Sequence, residues 1–272
     1  MFGLNSFGKV GVIVRRAFGG GSFSPLDLFA SGEQGAWYDP SDLSTMFQDS
    51  AGTTPVTADG QPVGKILDKS GRGNHASQAT AAKRPLYKTS GGLHWLQFDG
   101  VDDALATASI DFTSTDKIDI FVGAYAPSAA TSMFLELSTS GNLTAGAFYI
   151  TDNESIGGLG TTRVTGTLTG GGELITTPPD LLVLTNQFAI TTSPDNYKAR
   201  VNGLVSPATP YGAGSGTGNF GNYPLFIGAR NQASSFFNGR IYPMIVLGRL
   251  ATTQEITDTE TWVAEKTGVV LP

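Results

Sequence analysis

Gln97-Phe98-Asp99-Gly100-Val101-Asp102-Asp103 is the stretch whose reading decides the fold. Leu93, Trp95 and the apolar side of Gln97-Phe98 alternate as in a half-buried strand. Asp99-Gly100 then reads as a type I′ hairpin turn, which needs positive φ at both central residues. The same arrangement recurs downstream. Ile118-Asp119-Ile120-Phe121-Val122-Gly123-Ala124-Tyr125 is the clearest strand, and Pro127 ends it. Further strands are predicted at 132–137, 147–151, 163–168, 181–190, 197–201, 225–227 and 240–247. Asn202-Gly203 between two of them suits a type I′ hairpin. Short strands parted by Gly, Asn, Asp and Pro clusters are the pattern of a sandwich or barrel, not of a parallel sheet with crossover helices.

The tail changes period. Thr252-Thr253-Gln254-Glu255 is a capping box, with Ile256 and Val263 following at helical spacing. Lys266 stands near the end and Gly268 where a C-cap belongs. One helix over 253–266, laid against the sandwich edge, is predicted.

Upstream, residues 22–90 are turn-rich. Trp37-Tyr38-Asp39-Pro40 reads as a strand ending in a turn, and Asp42 is placed to cap a short helical turn through Phe47. Residues 1–21 stand apart: Val10-Gly11-Val12-Ile13-Val14, then Arg15-Arg16, then the flexible Gly19-Gly20-Gly21. Two readings of this segment are open. One is a first strand at the sheet edge or a frayed terminus. The other is an arm that docks on a neighbouring subunit through Val12, Ile13, Val14, Arg15 and Arg16. The expected organisation is an arm over 1–21 and a sandwich over 22–272.

Bulk composition narrows the function classes. At 272 residues the chain is long enough to bury a core without staples, and the absence of cysteine excludes disulfides and thiolate metal sites. Only 15% of residues are charged while 36 are glycine, which favours strands and turns over long helices. A net charge of −6 argues against a nucleic-acid partner. The longest apolar runs, such as Leu181-Leu182-Val183-Leu184, fall far short of a membrane span, so no membrane insertion is expected. Lys9, Arg15 and Arg16 break the N-terminal apolar stretch, which is unlike a signal peptide.

Two stretches carry a resemblance. The first is Leu96 to Leu105. The second runs Tyr197-Lys198-Ala199-Arg200-Val201-Asn202-Gly203, Leu225-Phe226-Ile227-Gly228, Phe236-Phe237-Asn238-Gly239-Arg240-Ile241 and Thr252-Thr253-Gln254-Glu255-Ile256. Their order and spacing over residues 93–260 resemble the laminin-G-like, concanavalin-A-like jelly roll. The resemblance implies an all-β antiparallel sandwich with one short C-terminal helix. Residues 35–49 and 67–76, which include Trp37-Tyr38-Asp39-Pro40 and Asp68-Lys69-Ser70-Gly71-Arg72-Gly73-Asn74-His75, resemble the leader of such domains in tailed-bacteriophage virion proteins. That implies a virion component assembled in the host cytoplasm.

The chemistry-bearing residues are sparse. His75 and His94 have no triad motif around them and read as structural or surface groups. A paired-carboxylate glycosidase motif is absent: Glu136 sits between Leu135 and Leu137, and Glu154 and Glu173 lie in Gly-rich stretches. Laminin-G-like domains often hold Ca²⁺ at a rim, and Asp99, Asp102 and Asp103 are its candidate ligands; the competing reading has Asp99 making a turn while the other two face solvent or bond local N–H groups. Tyr211, Phe220, Tyr223 and Phe236 are candidates to stack on a sugar, or else belong to the core or a subunit contact. The expectation is a non-enzymatic virion structural protein in the capsid, neck or tail, docked by its arm to other virion proteins as a homo-oligomer, with a trimer suited to a spike. The alternatives are a host-glycan-binding module and a glycoside hydrolase.

Overall fold

The computed structural model of the protein describes residues 22–127, 132–139, 145–153, 158–162, 181–192, 197–206 and 217–272. Among the described residues, two antiparallel sheets of eight strands each face one another. The first sheet runs, in spatial order, β14 (Leu204–Val205), β13 (Tyr197–Val201), β12 (Leu181–Ala189), β8 (Lys117–Tyr125), β16 (Asn238–Leu247), β6 (Leu93–Asp99) and β5 (Leu86–Ser90), with β1 (Gly35–Tyr38) paired to the far half of β16. The second runs β11 (Gly158–Thr162), β10 (Phe148–Asn153), β9 (Ser132–Leu137), β15 (Asn222–Ile227), β7 (Leu105–Asp111), β4 (Ala76–Ser77), β3 (Lys65–Ile66) and β2 (Met46–Phe47). The all-β sandwich expected from the sequence is the fold.

Alternation builds the core. In β8, Ile118, Ile120, Val122 and Ala124 enter the inter-sheet core, while Phe121 joins a separate cluster on the outer face. Phe98 of the first sheet packs on Phe237, just before β16, which meets Phe134 of the second sheet with ring centroids 4.4 Å apart. The turn-rich upstream stretch is woven into both sheets: β1 extends one, and β2–β4 complete the edge of the other. Asp68 holds it in place. Its carboxylate accepts from the backbone N–H of Trp37, Ser70 and Asn74, and His75 Nδ1 accepts from the Asp68 N–H.

The C-terminal helix α1 (Thr253–Thr267) has the capping box read from Thr252 and Glu255 and a left-handed Gly268 at its end. Its place differs from expectation. It lies across the outer face of the first sheet, not along an edge, with Val263 and Ala264 against Phe121, Val183 and Ile245. Gly123 makes room for it, since a Cβ there would stand 2.2 Å from Thr267 Cγ2. Arg200 and Glu260 pair at 2.7 Å, and Thr185 donates to the same carboxylate, so the helix is pinned to β12 and β13. Asp119 of β8, 0% exposed, accepts from Ala251 N at 2.7 Å and from Gln187 Nε2, fixing the entry to the helix. Burial pushes its carboxyl up to about 7.

Of the expected turns, one stands as read and two differ. Asn202 and Gly203 have φ of 49° and 81°, as a type I′ hairpin requires. At Asp99-Gly100 only Gly100 is left-handed, and the strands on either side belong to different sheets, so this is a crossover corner and not a hairpin. The helical turn expected through Phe47 is a 3₁₀ turn over Leu43–Thr45, after which Met46 enters β2. The arm over 1–21, with its docking residues Val12, Ile13, Val14, Arg15 and Arg16, and the strand predicted at 163–168 lie outside the described residues.

Candidate functional site

The outer face of the second sheet holds a carboxyl group where a β-sandwich usually places either solvent-exposed polar groups or a covering layer. In β9, Leu135 and Leu137 point into the core, so Glu136 between them points outward. It is flanked across the ladder by Tyr149 of β10 and Phe226 of β15. It is nonetheless only 2% exposed. Charged residues are almost never this buried without partners. Here Oε1 accepts from Ser138 Oγ at 2.9 Å and Oε2 from Asn231 N at 3.0 Å. Burial pushes the Glu136 carboxyl up, against the hydrogen bonds from Ser138 and Asn231 and the positive charge of Arg230.

The loop between β15 and β16 brings Arg230 and Asn231 to this carboxyl. It closes on itself through Arg230 N to Ser234 O at 2.8 Å and Ala233 N to Arg230 O at 2.9 Å. Asn231, Gln232 and Ser235 take left-handed φ of 50°, 52° and 51°. That conformation costs an L-residue about 1–2 kcal/mol, and such outliers collect where the backbone is held for a purpose. The loop seats the Arg230 guanidinium 5.3 Å from the centre of the Tyr149 ring. Arg230 Nε is buried with no hydrogen-bond partner, and among the described residues the guanidinium has no carboxylate within ion-pair distance. A carboxyl, a guanidinium with unused donors and a phenol thus share one patch. Arg230 and Tyr149 are partly exposed, while Glu136 is buried and already accepts at both of its oxygens.

The acidic turn lies at the sandwich end where β16 begins: a Cβ on Gly100 would meet Asn238 Cβ at 2.7 Å. Carboxylate oxygens of Asp99, Asp102 and Asp103 lie within 4.8 Å of one another. Ca²⁺–oxygen distances of about 2.3–2.6 Å allow ligands up to about 5 Å apart, so the three fit that cation by spacing. The turn also closes by itself. Asp99 Oδ1 accepts from the N–H of Val101, Asp102 and Asp103, and Asp103 Oδ2 from Asp99 N. Burial, reinforced by the Asp99 charge, pushes the Asp103 carboxyl up to about 6. For a cation, Asp99 Oδ2, Asp103 Oδ1 and the Asp102 carboxylate remain.

The sugar-stacking candidates separate. Phe220 is corrected: it is 1% exposed and packs edge-on to Phe148 in the core, so no ligand reaches its ring. Tyr223 is half-buried, rests against Gly221 and donates its hydroxyl to Ala145 O at 2.8 Å. Phe236 is half-buried beside the core residue Phe237. Tyr211 lies outside the described residues, as do Glu154 and Glu173. Both histidines have structural partners, His75 with Asp68 and His94 with the Tyr87 hydroxyl at 2.7 Å. Sequence reading weighed Glu136 alone and missed Arg230 and Tyr149. The available signal was a glutamate inside an otherwise apolar strand.

No protein-family model and no curated protein matches this chain. Solved structures do. A GH54 α-L-arabinofuranosidase superposes with a TM-score of 0.60 at 13% identity, over 89% of this chain and 65% of that one. Trypanosoma rangeli sialidase in complex with sialic acid superposes with a TM-score of 0.54 at 11% identity, over 86% of this chain. This chain spans 33% of the sialidase's length. At such identities the likeness is one of fold. The expectation of a protein without enzymatic activity is overturned by it: the sandwich found here is one in which glycoside hydrolases are built, and missing sequence motifs exclude none of them.

Proposed function

We propose that this sandwich is a carbohydrate-recognition domain, with Glu136, Arg230 and Tyr149 as its binding centre. The observation that carries the reading is the Arg230 guanidinium, seated on Tyr149 with its donors unused among the described residues and the buried Glu136 carboxyl close by. The nearby carboxyl offsets the arginine's charge, which suits a neutral, hydroxyl-rich saccharide. The left-handed loop holds the groups in place before any ligand arrives, so little side-chain freedom is lost on binding. Glycan-array binding followed by titration of the best ligand tests this. Arg230→Gln and Tyr149→Ala weaken binding about tenfold or more. Undiminished binding by both folded variants would sink the proposal. Incubating the bound saccharide with wild type and Glu136→Gln adds a second readout, since a buried carboxyl with a raised pKa is suited to donate a proton to a leaving group.

The finer reading places this domain on a tailed-bacteriophage virion, mounted through residues 1–21 and displayed to host-surface glycan. It is supported by the resemblance of residues 35–49 and 67–76 to virion leaders. Removing residues 1–21 leaves a folded sandwich that fails to incorporate into particles; incorporation at normal copy number would refute the arm's role.

A further inference from the structure

We infer that the outer face of the first sheet carries a second, separate site, specific for a carboxylate-bearing sugar, with Arg240 as its anchor. Six arginines lie among the described residues, and four are committed. Arg200 pairs with Glu260, Arg249 with Glu33 and Glu255, while Arg84 and Arg72 donate to backbone carbonyls. Only Arg230 and Arg240 have no acceptor among the described residues, and each rests on an aromatic ring, one on either outer face. Neither guanidinium has a carboxylate within ion-pair distance among the described residues, although the Glu136 carboxyl is close enough to feel the charge of Arg230.

The local sequence builds the Arg240 platform. Arg240 stands opposite Gln97 in β6 and Tyr125 in β8, all on the outer face. Its guanidinium carbon lies 4.6 Å from the ring centre of Trp95 and 4.6 Å from that of Tyr125. Trp95 is fixed in turn: it is 6% exposed, packs against Tyr242 at 5.7 Å and donates Nε1 to Gln97 Oε1. Gln97 Nε2 is bound to Gly239 O at 3.0 Å. The α1 helix ends beside this strip, where Thr267 meets Gly123, two residues before Tyr125. Arg240 and Tyr125 therefore stay half-buried and reachable.

A guanidinium that rests on two rings and has no acceptor among the described residues keeps its planar fork of N–H donors available to a ligand. A long side chain normally loses rotamer freedom when a ligand fixes it, and here the rings have already fixed it. The fork matches a carboxylate bidentately, and the half-buried Tyr125 ring offers apolar surface to the sugar that bears it, with the buried Trp95 backing the guanidinium. Phosphate shares the oxyanion chemistry and is the competing source.

Titration calorimetry on the whole protein distinguishes the outcomes. The probes are oligosaccharides carrying uronic or nonulosonic acid, neutral oligosaccharides of equal length, and inorganic phosphate. Wild type binds an acidic oligosaccharide in preference to its neutral counterpart and to phosphate. Arg240→Gln weakens that binding about tenfold or more, and Arg240→Lys, which keeps the charge but not the fork, weakens it too. Arg240→Gln leaves binding of the neutral oligosaccharide at the second-sheet site unchanged, so failure of that site and failure of this one read out separately. Binding to none of the acidic probes, equal affinity in Arg240→Lys and wild type, or preference for phosphate would each overturn the inference.

Discussion

The two outer faces of the sandwich solve one problem in opposite ways. Each sheet has an inner face that fills the core and an outer face that must meet something. The first sheet turns Phe121, Val183 and Ile245 outward and covers them with α1. The second turns Glu136 outward, buries it at 2% exposure and brings Arg230 and Asn231 over it. Apolar burial under a helix stabilises. A buried carboxyl costs free energy unless fully partnered, and breaks even at best. The difference teaches where to look for function: the first face mostly holds the protein together, while the second keeps groups that stability does not ask for.

Breaking the first face is expected to have the largest effect. Phe121→Ala removes the centre of the helix seat and destabilises by about 3–5 kcal/mol, read as a lower denaturant midpoint. Gly123→Ala puts a methyl into Thr267 and lifts the helix, at a cost of about 1–3 kcal/mol. A wild-type midpoint in either variant would mean that α1 contributes little.

The pH dependence sharpens the picture. Asp119 has a folded pKa of about 7, against about 3.9 in an unfolded chain. The folded state therefore holds a proton that the unfolded state releases between these values. Stability from this group is greatest below about pH 4 and falls as pH rises towards 7, by at most about 1.4 kcal/mol per pH unit. Asp119→Asn flattens that slope, measured by denaturation at several pH values. Glu255 acts in the opposite sense: its hydrogen bonds from Arg249 hold its carboxyl at about 2, so its contribution is present above the ordinary glutamate range and lost as pH falls towards 2. Thr252→Ala, which removes the other half of the capping box, costs about 1 kcal/mol.

The smallest effect belongs to the second face. In Glu136→Gln the amide oxygen still accepts from Asn231 N, and the Ser138 hydroxyl turns to accept from the new amide N–H, so stability changes by less than about 0.5 kcal/mol. Saccharide binding, in contrast, is lost or altered. A Glu136→Gln protein that fails to fold would erase the contrast between the faces.

The strands and the helix were legible because their signals are local. Alternation in Ile118–Tyr125, the Asn202-Gly203 turn and the capping box at Thr252 each depend on a few adjacent residues, and each stands where the sequence placed it. Signals that depend on the partner strand misled. Phe220 looked like an exposed loop aromatic and is core, because Phe148 from another hairpin covers it. Asp99-Gly100 looked like a hairpin and is a corner, because the strands after and before it join different sheets. Glu136 was visible as an oddity, but its meaning was not, since Tyr149 and Arg230 reach it from strands and a loop up to about a hundred residues away, a placement set by long-range pairing.

By itself, then, the sequence determined an all-β sandwich closed by one C-terminal helix, because periodicity and turn chemistry are written residue by residue. Only the tertiary structure decided which face of each sheet turned outward to what: helix on one, an arginine-guarded carboxyl on the other, and a second arginine stacked between Trp95 and Tyr125. Those are relations between strands distant in sequence, and only the packed sheets create them.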